Sequence, residues 1–594
     1  MFQQEKIGHG EAAVSHRRTG PVIERELSLR ATLTGMLLGV LLTPSNVYAG
    51  LKIGWSFNMA IIALLIGFSF WQGMARRLWN GPEWTLHESN INQTVASAAA
   101  SIISGGLVAP IPAYTLLTGN QLDPLPMMAW VFSVSFLGIW IAWYLRPSLI
   151  NDSGLTFPEG MATLETLTHV YSHGAESARR LSVLFGAGLF SASVKAADTF
   201  IAAFPRWAPN AHWERLTFTF DPSLLLFGFG GIIGLRVGLS LLIGAALAWG
   251  GIAPWLLARH LVTLPADAAG PQFSLLVNWL LWPGVSLMAC ATLSSLSLRL
   301  LRQTKGNGAS GNAGRAFRLP RPQPAPAIGL LLSIALVVTL QATLFGIDVV
   351  MALLTIPLAL CLAAVAARVV GATGIPPIGA IGQLSQLSFG VVAPGQVAIN
   401  LMSANTAGGA AGQCTDLMND FKVGMLIGAT PAKQVVAQCL GIAVGSIVGV
   451  LVYRALIPDP QAMLLSEQWP APAAATWKAV AQTLALGLDS LSADIRLAIL
   501  AGGIAGVLFG LLESALPSTR ARLLPSPAAL GLAFILPASV SLMMALGAIV
   551  TWLCGLRWPG LTERYAVTLA AGLVAGESMT GIGASIWQLA RGGA

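Results

Sequence analysis

Charge is what this sequence has least of. Only 10% of its 594 residues are Asp, Glu, Lys or Arg, against roughly 25% in a soluble domain, which excludes a water-soluble globular protein. Catalytic signatures are missing too. There is no GxSxG, no Walker A and no HExxH, and the seven His are dispersed, with His169 and His173 the only close pair. Without a Walker A motif the chain is not itself an ATP-driven pump. The five cysteines, Cys290, Cys361, Cys414, Cys439 and Cys554, sit in apolar sequence with no CxxC or metal-ligand spacing. They read as small core residues rather than disulfides or ligands, and neither a metal site nor a cofactor is expected. The first thirty residues mix both charge signs and lack an apolar core with a cleavage site. No cleavable signal peptide is therefore expected, and the first transmembrane helix would direct insertion.

What the sequence has in abundance is apolar runs. It is 55% hydrophobic, with stretches such as 59–71, 127–145, 327–345 and 349–366 that mostly approach the roughly 20 residues needed to cross the hydrocarbon core. Counting these with their less tidy neighbours predicts an all-α polytopic membrane protein of about 14–16 transmembrane helices. Its 33 Lys and Arg against 25 Asp and Glu would suggest a nucleic-acid partner in a soluble protein, but here the basic residues gather in loops. Arg299, Arg302, Lys305, Arg315, Arg318 and Arg321 flank and fill one loop with no acidic residue among them, which the positive-inside rule assigns to the cytoplasm. Arg76, Arg77, Arg146, Arg179 and Arg180 fit the same side if the N-terminus is cytoplasmic. The partner implied is the lipid bilayer, with no nucleic acid. The chain divides into a cytoplasmic segment 1–30, a transmembrane half 31–301, a basic linker 302–325 and a second half 326–594. A weak echo, LKIG at 51–54 against FKVG at 421–424 and Phe157-Pro158 against Ser526-Pro527, suggests that the halves are related.

Five stretches join small residues to polar ones inside apolar sequence: 43–54, 87–106, 151–167, 400–424 and 571–585. Discontinuous helices of this kind build transporter sites, because unwound backbone at membrane depth needs protein or a water-filled cavity around it. In 87–106, Ser97, Ser101 and Gly105 form a small-residue stripe beside Ala96, Ala100 and Ser104, which would let another helix approach closely. Asn92 and Gln93 either cap and pack that helix or meet peptide-like groups of a cargo. In 400–424, Asp416 and Asp420 are four apart and would share a helix face near Asn400, Asn405, Gln413 and Lys422. They suit proton coupling if buried, or belong to an ordinary charged cytoplasmic loop. Thr156, Phe157, Pro158 and Glu159 match a capping box, which would make Glu159 an ordinary N3 residue. The same geometry exposes a helix N-terminus able to hold a carboxylate, and Thr163 continues the Glu159 face. Glu165 is expected to pair locally with His169. Lys52 is expected to snorkel to an interface, Glu577 beside Ser578 to face a pore or site, and Arg236 to mark a cytoplasmic turn within 222–260.

Nine stretches, in order along nearly the whole chain, resemble the oligopeptide transporter family, particularly its prokaryotic branch. They are NVYAGLKIGWS (46–56), NINQTVASAAASIISGG (90–106), LTFPEGMATLETL (155–167), GLRVGLSLLIGAALAWGGIAP (234–254), LLWPGVSLM (280–288), GAIGQLSQLSFG (379–390), TDLMNDFKVGMLIGATPAKQ (415–434), LLPSPAALGLAFILP (523–537) and GLVAGESMTG (572–581). The resemblance implies about sixteen membrane helices in two pseudo-symmetric halves. It also implies secondary active transport, usually proton-coupled, of peptides, glutathione-like compounds or metal chelates. Two departures, Met161, Thr163 and Leu164 after FPEG and Gln413-Cys414 before Asp416, put the cargo in doubt rather than the fold.

The expectation is a proton-coupled symporter of the cell (inner) membrane that imports small peptides or peptide-like compounds and is not an enzyme. Substrate contacts are assigned to Asn92, Gln93, Glu159, Thr163, Asn405, Glu577 and Ser578, and proton coupling to Glu159, Asp416, Asp420 and Glu577. A channel-like facilitator is the alternative, with a polytopic membrane enzyme further behind. The oligomeric state is open, a homo-oligomer included.

Overall fold

The computed structural model describes residues 26–54, 58–75, 83–151, 155–172, 174–262, 270–306, 324–374, 378–487, 489, 491–516, 518–521 and 523–592. Most of segment 1–30 and of the basic linker, with Arg315, Arg318 and Arg321, lies outside the described residues, as do Arg76 and Arg77. Before the linker run α1 (Leu29–Ile53), α2 (Ala60–Phe68), α3 (Leu86–Ala100), α4 (Pro124–Arg146), α5 (Pro158–Ser172), α6 (Gly174–Ala196), α7 (Leu224–Ala245) and α8 (Phe273–Gly306). After it come α9 (Pro324–Phe345), α10 (Val349–Thr373), α11 (Ile378–Val392), α12 (Ala404–Ile427), α13 (Pro431–Leu456) and α14 (Pro472–Leu486), then α15 (Ala493–Ala515), α16 (Pro527–Ala533), α17 (Ala538–Arg557) and α18 (Pro559–Gly592). Twelve helices among the described residues are long and apolar enough to cross a membrane. The remaining pieces are short, as α2, α11 and α14 are, or polar, as α12 is.

Local signals start these helices where the chain needs them. Ser28 caps α1 by accepting from the Ala31 amide. Thr85 and Glu88 form a capping box at α3. The two starts are locked together, because Arg30 pairs with Glu88 at 2.6 Å while lying over the stacked rings of Trp71 and Trp84.

The helices gather into two bundles, and each draws on both sides of the linker. In the first, α3 packs on α1, α2 and α13, and α12 packs on α4, α10 and α11. In the second, α7 packs on α16, α17 and α18, α8 on α15, and α6 on α18. The bundles meet where α18 lies against α1 and α13. Close approach rests on small residues. On α3 the tightest contacts to α1 and α13 run through Val95, Ala98 and Ala99, beside the two stripes the sequence singles out.

Two of the expected interruptions are not backbone breaks. Residues 43–53 continue α1 through Pro44, and 571–585 lie inside the unbroken α18. The glycines of α18 serve contact instead: a Cβ on Gly576 would collide with the Gly188 carbonyl oxygen, and one on Gly572 with that of Leu184. The strongest break falls elsewhere. Gly234 has φ 80° and ψ 169°, and Gly230 and Gly238 both approach Ala548, so the chain folds back there. Arg236 thus follows a turn, as its charge suggests, and pairs with Glu513 at 2.9 Å while donating to the Leu524 carbonyl.

The packing of α7 on α17 leaves no room for growth. A Cβ on Gly547 would collide with the Phe227 carbonyl oxygen, so Gly547→Ala is expected to destabilise the protein by about 3 kcal/mol through forced backbone movement. Gly583→Ala, whose Cβ meets nothing within 4 Å, should be neutral or stabilise by up to about 1 kcal/mol. Thermal unfolding of the two variants in detergent measures the contrast.

Candidate functional site

The start of α5 is shaped by its neighbour α10. Phe157, fully buried, sits at φ 50°, a left-handed conformation that a bulky residue adopts only under constraint. Its amide donates to the Gly371 carbonyl at 2.9 Å, and the Thr156 hydroxyl donates to the same oxygen at 3.3 Å. The expected capping box is therefore not formed, because Thr156 is engaged with the end of α10. The Glu159 carboxylate turns away from its own helix end. Its Oε2 accepts from Asn419 Nδ2 of α12 at 3.0 Å and from Asn58 Nδ2 ahead of α2 at 3.5 Å.

Glu159 and Asn58 stand at one side of a cavity of about 340 Å³ lying between the two bundles. Apart from Thr568 its other walls are apolar, from Leu42 of α1, Leu65 of α2, Leu184 of α6, Phe229 of α7 and Val574 of α18. Such a compartment, mostly apolar with a few polar groups fixed by the scaffold, has the character of a ligand site.

Residues 400–424 are not a loop. A π-helical turn, Ile399–Ser403, leads into α12, which is buried along most of its length. Asp420 is enclosed by amides: Gln93 Nε2 of α3 donates to Oδ1 at 3.0 Å and Gln438 Nε2 of α13 to Oδ2 at 2.7 Å. Gln413 in turn donates to Gln438 at 2.6 Å, and Gln434 to the Asp420 carbonyl at 2.7 Å. One turn earlier, Asp416 faces Ser101 and lies within electrostatic reach of both Glu159 and Asp420. Three carboxylates thus run from the cavity wall into the first bundle.

Glu577 belongs to a different place. Its Oε1 accepts from the Ser223 hydroxyl at 2.7 Å and its Oε2 from the Leu225 amide at 2.8 Å, so it holds the N-terminus of α7, where the helix dipole favours a negative charge. It also lines a second, polar compartment of about 70 Å³ with Tyr48, Lys52, Lys195, Asp198, Arg206, Asp221 and Glu467.

The other predicted site residues are committed to protein contacts. Asn92 donates to the Ala63 carbonyl at 3.1 Å and Asn405 to the Gly105 carbonyl at 3.0 Å. The Thr163 hydroxyl donates back to the Glu159 carbonyl, and that of Ser578 to Ser45 Oγ at 2.9 Å, joining α18 to α1. Glu165 is exposed on the outer face of α5. Lys52 lies over the Trp469 ring at 5.4 Å. Sequence reasoning passed over Asn58 and Asn419, the partners of Glu159, and the charged residues 195–221 and 467 around Glu577. Asn419 carried a signal, sitting three residues after Asp416 and so on its face of the helix. Among the described residues no three His, Cys, Asp or Glu side chains gather as a metal site.

Comparison with known proteins agrees with this architecture. Residues 26–588 match the family described as OPT oligopeptide transporter protein. A putative oligopeptide transporter of Saccharomyces cerevisiae is 24% identical, covering 93% of this chain and 95% of its own length. A probable metal-nicotianamine transporter of Arabidopsis thaliana is 23% identical over 96% of this chain and 88% of its own. An iron-phytosiderophore transporter of Oryza sativa subsp. japonica is 25% identical over 94% and 91%. All three are named as transporters rather than enzymes. An all-helical chain that crosses the membrane many times, places buried carboxylates beside a cavity between two bundles, and matches one family over nearly its whole length is a membrane transporter, and it belongs to the oligopeptide transporter family.

Proposed function

We propose that the protein is a secondary active, proton-coupled importer of the cell inner membrane, with its N-terminus in the cytoplasm. Its cargo is a small peptide or a peptide-like compound, glutathione-like or a metal chelate. The carrying observation is the cavity of about 340 Å³ between the bundles, with one carboxylate, Glu159, fixed at its wall by two amides. An apolar body fits its walls, and an ammonium group or a chelated cation suits the carboxylate. The relatives named for metal-nicotianamine and iron-phytosiderophore transport favour the chelate end of this range. Glu159, Asp416 and Asp420 offer a proton path away from the cargo, since a charge at membrane depth needs a partner or a proton. The motifs quoted above support a place in the prokaryotic branch of the family, and the basic linker supports the cytoplasmic N-terminus.

Proteoliposomes test the reading. Iron–nicotianamine or a tripeptide should exchange in counterflow and accumulate when a pH gradient is imposed. Accumulation that persists after the gradient is collapsed would remove proton coupling, and passage without counterflow would make the protein a channel-like facilitator.

A further inference from the structure

The two compartments are stacked along the same four helices. Leu42 of α1, Leu184 of α6, Phe229 of α7 and Ala575 of α18 line the larger one. Lys52, Lys195, Leu225 and Glu577, from the same helices in the same order, line the smaller. Between them stand the Ser578–Ser45 hydrogen bond and the grip of Glu577 on the start of α7. The charged side chains of the smaller compartment are unevenly matched. Lys195 pairs with Asp198 at 2.8 Å, Arg206 meets Asp221 at 4.0 Å, and Glu577 is satisfied by α7. Lys52 and Glu467 remain. Among the described residues neither has an ion-pair partner within 4 Å, and Glu467 has no hydrogen bond. Glu467 feels Arg206 first and Lys52 after it, and Lys52 feels Asp221 and Glu577, all across the compartment without direct contact. An opposed cation and anion, both left without a direct partner in a semi-enclosed space, match a molecule that carries both charges.

We propose that the smaller compartment is a second binding site, which takes an amino-carboxylate ampholyte by its carboxylate at Lys52 and its ammonium group at Glu467. The Trp469 ring fixes the lysine ammonium from one side, leaving its other donors for the ligand. At about 70 Å³, the compartment holds only a few water-sized molecules, so a tripeptide enters it in a conformation with these four helices further apart. The two compartments then bind cargo in turn on either side of the partition. The proposal rests on the reading of the protein as a carrier of peptide-like cargo.

Equilibrium binding of radiolabelled trialanine and of iron–nicotianamine to the purified full chain tests it, with Lys52→Gln, Glu467→Gln and Glu159→Gln compared by size-exclusion profile for folding. Trialanine is expected to show two binding components, of which Lys52→Gln weakens one at least about tenfold, and amidation of the peptide's C-terminus should weaken that component equally in the wild type but have no further effect on it in the variant. Glu467→Gln with N-acetylated peptide gives the same comparison at the other end, and stands alone should Lys52→Gln not fold. Binding that survives both substitutions but is lost in Glu159→Gln overturns the second site and leaves the carrier reading intact. No binding of either probe to the folded wild-type protein overturns both.

Discussion

Glu159→Gln is expected to abolish uptake driven by a pH gradient, while counterflow of the same cargo continues at weakened affinity. The substitution keeps an oxygen that can accept from Asn419 and Asn58, so the start of α5 should hold its place. What it removes is the exchangeable proton, together with the charge that suits a cationic cargo. Loss of a positioned proton-transfer group is expected to reduce gradient-driven accumulation by about a hundredfold or more, measured as the ratio of initial rates with and without an imposed gradient. Equal gradient-driven rates in variant and wild type would leave Glu159 as an anchor for the two asparagines and move the coupling to Asp416 or Asp420.

Asp420→Leu is expected to be the most destabilising single change in the first bundle. It strips the acceptor from the fully buried Gln438, whereas Gln93 keeps Asn90 and Thr94 as acceptors, and a buried amide left unpaired costs about 1–3 kcal/mol. The expected loss is therefore about 1–3 kcal/mol, read from thermal unfolding in detergent. Asp420→Asn keeps one acceptor and should lose less than half of that. If Asp420→Leu unfolds at the wild-type temperature, the glutamine cluster is not what joins α3, α12 and α13.

How much of this was legible in the sequence follows from what each signal depends on. Helical membrane architecture was readable because long apolar runs have few alternatives. Exact crossings were readable only in part: residues 224–258 form one apolar run, in which Arg236 pointed to a turn and the backbone at Gly234 places it. Glu159 stood out because charge is rare here, and of its two local readings the capping box is the one the structure does not form. A capping box is a pattern within four residues, and Thr156 was drawn off by Gly371, more than two hundred residues away. Asp416 and Asp420 were rightly kept together by their spacing of four, whereas the amides that enclose Asp420 come from α3 and α13, which no local pattern connects. The charged compartment around Glu577 was invisible for the same reason. Its members are ordinary loop and helix-end residues until the fold brings 52, 195, 206, 221 and 467 to one place.

The thinness of the partition has an electrical consequence. Ala575 lines one compartment and Glu577 the other, a separation of two residues, or about 3 Å of helix rise. Were each compartment continuous with bulk water on its own side of the membrane, the membrane potential would fall across that short step instead of across the full bilayer. A cargo or proton bearing one net charge would then do nearly all its electrical work in crossing the step, about 2.3 kcal/mol per 100 mV. Transport would accordingly be steeply voltage-dependent at one stage of the cycle and nearly indifferent to voltage at every other.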